Sequence, residues 1–379
     1  MTMNNNLKKT IWLAGGGTGG HISPAISIYE NLVSKGMNPI LITLEKNKDY
    51  PPIKNITSTA KKNNPVIFYR ASPIPKSIKS VILFIKNINY SFKMLNIENS
   101  KVRPDAIVAF GGYPVFPVLL WALFHKVSFY LHEQNVRYGM MTKLFSFKAK
   151  NVFLSFPQKN YSAKEILTGN PLRSIFLGYN LKKNKTIKKP VKKTVLKNKK
   201  VTIRKILLLG GSQGASDINQ MYLEMCKTNY FKDDIITIST GKIDYNHILK
   251  TSKASGRKKD VISPFIEDVP KVMMDNDFII SRSGSGMIFE ILWSQKPACF
   301  IPYPHAASDH QKYNSLAISN FGHYETIDIR PFDAVLAMNK FVWFLSTYNE
   351  KGIVMVNNPN QIPLNAHQLI TDHLIRDLK

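Results

Sequence analysis

Apolar residues along this chain come in short unbroken runs separated by amphipathic stretches, the pattern of buried parallel strands alternating with helices. Runs at 10–14, 39–44, 106–109, 128–131 and 151–154 occupy the first part, and runs at 205–209, 235–239, 277–280 and 297–301 the second. Two of them open the same way. The run at 10–14 leads into Gly15-Gly16-Gly17-Thr18-Gly19-Gly20 and a predicted helix over about 22–35; the run at 205–209 leads into Gly210-Gly211-Ser212-Gln213-Gly214 and a predicted helix over about 215–226. A strand, a glycine turn and a helix open a βαβ unit, so two such openings predict an α/β chain with two Rossmann-like, doubly wound domains. We place them at 1–172 and 173–362. The stretch 181–200, with ten lysines and Pro190, reads as a basic linker or surface loop. Leu364, Leu369, Ile370, Leu374, Ile375 and Leu378 recur at helical spacing, predicting a closing helix over 363–379 that packs back on the first domain.

Composition narrows the class. At 379 residues and 44% hydrophobic the chain suits two buried cores. Its two cysteines, Cys226 and Cys299, provide neither a zinc motif nor a disulfide framework and point to a reducing compartment. The net charge of +27 favours polyanionic partners, although Lys, Asn and Ile are enriched together, as AT-rich coding produces. Nucleic acid is set aside because the basic run lacks interleaved aromatic residues. The N-terminus mimics a signal peptide, but its apolar run stops at Gly15, and no export is expected. The uncharged stretch 106–124 contains Gly111, Gly112, Pro114 and Pro117 in its first half, so it reads as strand, turn and helix instead of a membrane span.

The candidate chemistry sits at the glycine turns. Gly15, Gly17 and Gly20 satisfy GxGxxG after a strand, and Glu45 ends the second strand where an acidic residue would hold a ribose, which keeps a nicotinamide oxidoreductase as a rival. A degenerate protein that binds a sugar nucleotide without turnover is a second rival. His21 directly follows the last glycine, with Pro24 expected in the first helical turn. The positive end of a helix disfavours the imidazolium, which suits a proton acceptor near neutrality. Phe110-Gly111-Gly112-Tyr113-Pro114 forms another turn, and ligands in open α/β sheets bind beyond the carboxyl ends of strands, so the three turns are expected to line one crevice. No DxD-like motif accompanies them; neither metal nor cofactor is expected.

Eight motifs in order across three quarters of the chain, GGGTGGHISPA, FGGYP, LHEQN, TGNPLR, LLGGSQGASDIN, PFIEDV, SRSGSGMIFEI and Asp309-His310-Gln311 with Asn314, closely resemble the MurG family. The resemblance implies a GT-B fold, two Rossmann-like domains facing across a cleft. It implies an inverting, metal-independent transfer of N-acetylglucosamine from UDP-N-acetylglucosamine to the 4-hydroxyl of the N-acetylmuramic acid of undecaprenyl-linked lipid I. The product is lipid II, for peptidoglycan synthesis and hence cell shape and division. From its placement at the helix start His21 is expected to be the catalytic base, and by the resemblance Thr18, Gly19, Gly20 and Asn135 reach the sugar donor. Arg173 and Ser212 contact the diphosphate, and Ile266 meets uracil through its backbone. Ser285, Gly286, Met287, Ile288, Phe289 and Glu290 cradle the nucleotide, with Glu290 on the ribose, while Gln311 reads the sugar hydroxyls. The chain departs from the family's pattern at Met287, where a small hydroxyl residue is usual, at Val136-Arg137-Tyr138-Gly139, and at Thr142, where Asn is common.

A lipid-linked acceptor implies a peripheral enzyme on the cytoplasmic face of the plasma membrane, with cell-wall synthesis enzymes as further partners. Lys76, Lys79, Lys86 and Lys93 interleave with Ile78, Val81, Ile82, Phe84, Ile85, Ile88, Phe92 and Leu95, predicting an apolar helix with a basic edge that lies on anionic lipid. Lys76, Lys79, Phe84 and Trp121, the last as an interfacial anchor, are the expected membrane contacts.

Overall fold

A computed structural model describes residues 8–17, 19–59, 66–73, 75, 77–179, 193–196, 199–211, 214–319, 323–351 and 362–379. The contacts divide the chain into two compact units, one of residues 1–174 with 359–379 and one of residues 175–358. Lys76, Thr18 and Ser212 lie outside the described residues.

The first unit carries a seven-stranded parallel sheet of Thr10–Ala14 (β1), Asn38–Leu44 (β2), Val66–Tyr69 (β3), Ala106–Ala109 (β4), Phe129–Glu133 (β5), Val152–Leu154 (β6) and Glu165–Leu167 (β7), in the order β3-β2-β1-β4-β5-β6-β7. Its helices are Gly19–Ser34 (α1), Pro51–Thr59 (α2), Ile78–Lys101 (α3), Phe116–Phe124 (α4) and Met140–Phe145 (α5). Every residue of β1, β4 and β5 is buried, because helices cover both faces of the sheet; that burial is why these strands read as unbroken apolar runs. Ser174–Leu177 (α6) leads into the second unit, where the rings of Phe176 and Tyr179 pack edge-on against Trp293.

The second unit has an antiparallel hairpin of Lys193–Leu196 (β8) and Lys199–Thr202 (β9). It also has a six-stranded parallel sheet of Lys205–Leu209 (β10), Ile235–Ser239 (β11), Val261–Ser263 (β12), Phe278–Ser281 (β13), Ala298–Phe300 (β14) and Tyr324–Thr326 (β15), in the order β12-β11-β10-β13-β14-β15. Ser216–Lys227 (α7), Tyr245–Ala254 (α8), Val269–Asp275 (α9), Ser285–Ser294 (α10), His310–Ile318 (α11) and Ala334–Lys351 (α12) accompany it. The chain then returns to the first unit as Ala366–Asp377 (α13). Ile370 and Leu374 enter the core beside Ile22 and Ala25 of α1, each burial worth roughly 1.5–3 kcal/mol. Asp377 accepts from the Tyr130 hydroxyl and pairs with Lys150 at 3.2 Å.

Three expectations are corrected. Of the basic stretch 181–200 read as linker or loop, residues 193–196 and 199–200 belong to the β8-β9 hairpin, whose ladder satisfies backbone groups that a loop leaves to water, and the rest lies outside the described residues. α1 begins at Gly19, not near residue 22, so His21 lies in its first turn and Pro24 further inside it. Trp121 is no interfacial anchor. It is fully buried, stacked on Trp12 with ring centroids 5.1 Å apart, and its indole N–H donates to Asn96 Oδ1 at 2.7 Å, so the polar tip that would seek the interface is already satisfied inside.

α3 starts from a Ser77 cap reciprocated by Ser80 and turns one side outward. Ile78, Ile82 and Ile85 are 83%, 65% and 52% exposed beside the exposed Lys79, Lys86 and Lys93, while Phe84 is half-buried against Phe116. Phe116 in turn meets Phe145 of α5, next to the exposed Leu144 and Phe147. Among the described residues no helix is long and apolar enough to cross a membrane.

Candidate active site

In a doubly wound sheet the crevice opens where neighbouring strands lead away in opposite directions. In the first unit that switch point lies between β1 and β4. The turn after β1 carries Gly15–Gly17, and the turn after β4 carries Gly111 and Gly112, both in the left-handed region at φ 79° and 75°. Their lack of a side chain makes room for His21: a Cβ on Gly112 would lie 3.4 Å from His21 Cε1, and one on Gly111 would lie 3.5 Å from His21 Cδ2. The imidazole thus rests against the glycine pair. The Tyr69 hydroxyl donates to the Pro114 carbonyl, and Gln134 Nε2 donates to the Phe110 carbonyl at 3.1 Å, fixing this turn from two sides.

Around His21 a small cavity is lined by Phe110, Gly111, Gly112, His132, Glu133, Gln134, Asn135, Gly139, Met141 and Thr142. Gly19 and Gly20 lie in the exposed first turn of α1 beside it. Glu133, at the end of β5, is buried and accepts from Asn135 N, Gly139 N and the Thr142 hydroxyl. Burial pushes its carboxyl above the ordinary range against the pull of these donors. His132 is buried behind the cavity, its Nε2 3.4 Å from Ser155 Oγ and 3.5 Å from the Gly169 carbonyl, while its Nδ1 has no partner among the described residues. Burial pulls this imidazole down to about 4, the Gly169 carbonyl opposing and nearby His21 adding to the fall.

That depression makes a stability prediction. An unfolded histidine takes up a proton near pH 6.5 and the folded one only near 4, so His132 contributes stability above pH 6.5 that is lost as pH falls through that window, about 3 kcal/mol in all. Glu133, raised, works in the opposite direction and is common to both proteins compared. Urea unfolding of wild type and His132→Asn between pH 4 and 7.5 should therefore show the gap between them narrowing as pH falls; a constant gap would refute the assignment.

In the second unit the switch point lies between β10 and β13, which run into Gly210-Gly211 and 282–284. α10 begins there behind Gly284 with no side-chain cap, and its first intrahelical bond runs from Ile288 N to the Gly284 carbonyl. The N–H groups of Ser285, Gly286 and Met287 therefore face out of the helix end, the arrangement that binds phosphate. Side chains built on Gly284 or Gly286 would meet nothing within 4 Å, and the hydroxyls of Ser283 and Ser285, both buried, have no partner among the described residues. Glu290 is buried on the same helix. Gln311, half-buried at the start of α11, accepts from Tyr303 N at 3.0 Å through Oε1, which leaves its Nε2 to donate. Ile266 is half-buried in the loop after β12.

Residues 11–154 match the glycosyltransferase family 28 N-terminal domain, and residues 205–331 match the glycosyltransferase family 28 C-terminal domain. A protein of Sulfurihydrogenibium sp. named UDP-N-acetylglucosamine–N-acetylmuramyl-(pentapeptide) pyrophosphoryl-undecaprenol N-acetylglucosamine transferase is 31% identical over 331 residues, 84% of this chain and 85% of its own. The chain belongs to the MurG family of glycosyltransferase family 28. A relative of the same name from Elusimicrobium minutum is 27% identical over 95% of this chain and 97% of its own. Among solved structures, Acinetobacter baumannii MurG aligns with a TM-score of 0.69 at 22% identity, covering 97% of this chain and 99% of that one. The UDP-GlcNAc 2-epimerase from Neisseria meningitidis bound to UDP-GlcNAc aligns at 0.63 and 17% identity over 97% and 100%. The fold is GT-B, with two Rossmann-like domains.

In this MurG-family chain the expected site residues fall into two groups. The first unit brings His21 and Asn135 to one cavity; Arg173, half-buried, also belongs to that unit. The second gathers Ser285, Gly286, Met287 and Glu290 on one helix. Ile288 and Phe289 are corrected: both are fully buried in the core, and the N–H of Ile288 is spent inside the helix, so neither presents a group to a nucleotide. Glu45 does not present a carboxylate to a ribose either. Arg70 Nε holds it at 2.7 Å and the Tyr90 hydroxyl at 2.9 Å, which weakens one of the two features on which the oxidoreductase reading stood. Sequence reasoning passed over Glu133, visible only as a letter of LHEQN, and Arg282. The latter donates to Asp217 at 2.7 Å and to the carbonyls of Ile301 and Pro302 at 3.1 Å, tying together the segments around the start of α10.

Proposed function

We propose that this protein transfers N-acetylglucosamine from UDP-N-acetylglucosamine to the 4-hydroxyl of the N-acetylmuramic acid of lipid I, giving lipid II for peptidoglycan synthesis. The observation that carries this reading is the His21 imidazole held against the Gly111-Gly112 pair at a sheet switch point, in a chain that matches family 28 in both halves. A base there can take the acceptor's hydroxyl proton as the O4–C1 bond forms. The C1–O bond to the diphosphate breaks with its electron pair going to UDP, and the configuration at C1 inverts.

Departing UDP carries growing negative charge on the β-phosphate. The N–H groups of Ser285, Gly286 and Met287 and the unpartnered serine hydroxyls supply donors without an added charge, and we assign Arg173 and Ser212 to the diphosphate alongside them. Glu290 is assigned to the ribose hydroxyls, Ile266 to uracil, and Gln311 to the sugar through its Nε2. Asn135, Thr18, Gly19 and Gly20 are assigned to the sugar from the first unit. Such groups bind the transition state better than the ground state, because the charge they meet is largest there. The decisive test is transfer of radiolabelled sugar from UDP-N-acetylglucosamine to a lipid I analogue, with UDP-glucose as control. Binding of the nucleotide sugar without labelled product would favour the binding-only alternative.

We further propose peripheral attachment at the cytoplasmic face of the membrane through the outward side of α3, where Ile78, Ile82 and Ile85 stand beside Lys79, Lys86 and Lys93. Apolar insertion and anionic attraction act together there. Replacing Ile82 and Ile85 with glutamine should weaken sedimentation with phosphatidylglycerol vesicles about tenfold or more. Equal sedimentation of variant and wild type would end this proposal.

A further inference from the structure

Glu133 takes no part in the chemistry above, yet its two carboxylate oxygens hold two different stretches of chain. Oε1 accepts from the Asn135 backbone N–H at 3.0 Å and faces the Asn135 amide nitrogen at 3.5 Å. Oε2 accepts from the N–H of Gly139, which precedes α5, at 2.8 Å, and from the Thr142 hydroxyl within α5 at 2.6 Å. The residue is only 4% exposed. An unpaired carboxylate at such depth is costly, and here the compensation comes from neutral donors on both sides of one turn. Thr142 stands where Asn is common in the family, and its hydroxyl provides the donor in this chain.

We propose that Glu133 is a positioning residue: by holding the 134–139 turn and the first turn of α5 in one fixed relation, it keeps Asn135 on the rim of the His21 cavity for substrate. The proposal rests on the transfer reaction assigned above. Glutamine at this position would turn an amide N–H₂ toward one set of donors, so one side of the turn would lose its acceptor. Small misplacements of a group that orients substrate are costly in rate.

Hydrogen exchange at the Asn135 and Gly139 amides, which needs no activity, tests the lock in Glu133→Gln and in the milder Thr142→Val, with Thr142→Ser as the conservative control. We expect exchange at least about tenfold faster in the first two and unchanged in Thr142→Ser. In transfer assays Glu133→Gln should lower kcat by about 10–100-fold with KM for UDP-N-acetylglucosamine unchanged, and the same change made in an Asn135→Ala background should cost less than about twofold more. Unchanged exchange, unchanged kcat, or losses that multiply across the double variant would each overturn the proposal. A wild-type protein without transfer activity would overturn the reaction reading instead, while the exchange data would still judge the lock.

Discussion

Replacing His21 with alanine lowers kcat by about 10²–10⁴-fold, the contribution of a placed general base, while KM for UDP-N-acetylglucosamine stays within about twofold. The two halves of this expectation come from different places in the fold. The imidazole sits at the β1-β4 switch point against Gly111 and Gly112, whereas Ser285, Gly286, Met287 and Glu290, assigned to the nucleotide, lie on α10 in the second unit. His21 is half-buried in the first turn of α1, outside the apolar cluster that holds Ile22 and Ala25, so its loss leaves the core packing intact. Steady-state kinetics with a lipid I analogue and a thermal melt of the same sample decide the matter. A variant that keeps kcat within fivefold of wild type would remove His21 from the proton transfer.

Arg282→Ala carries the second large effect, this time on stability as well as binding. Its guanidinium and the Asp217 carboxylate are 12% and 17% exposed and 2.7 Å apart, and the same side chain serves the carbonyls of Ile301 and Pro302. Removing it strands a mostly buried carboxylate and two carbonyls at once. Loss of one partner of such a pair costs about 3–5 kcal/mol, which lowers the melting temperature of the second unit by about 10 °C. Because Arg282 ties the start of α7 and the end of β14 to the turn before α10, KM for UDP-N-acetylglucosamine should rise too. Calorimetry and donor titration measure the two effects. A melt within 2 °C of wild type would show that the pair contributes nothing beyond a surface contact.

The site was legible in the sequence where chemistry is local to a motif. A histidine after a glycine turn, and a glycine pair after a buried strand, announce themselves without a fold. Glu133 did not, because its meaning lies in a turn that brings Asn135, Gly139 and Thr142 to one carboxylate. Nor did Arg282, whose partners are 65 positions before it and about 20 after it. Ile288 and Phe289 were misread for a related reason: proximity to a phosphate-binding helix start does not say which side of the helix a residue takes, and the core claims both.

The amino-acid sequence by itself determined the class of fold, the central strands and the two glycine openings. β1, β4, β10 and β13 lie in the middle of their sheets with both faces covered, and only continuous apolar runs survive there. The four strands it left unread in these sheets, β3, β7, β12 and β15, are their four edges. Each is three or four residues long, and β7, β12 and β15 are only partly buried, so their strand character comes from the neighbour that pairs with them and not from their own pattern. Tertiary structure alone decided the strand order. That order places β1 beside β4 and β4 beside β5, and so sets His21, the Gly111-Gly112 pair and Glu133 around one cavity from stretches of chain more than 100 residues apart end to end.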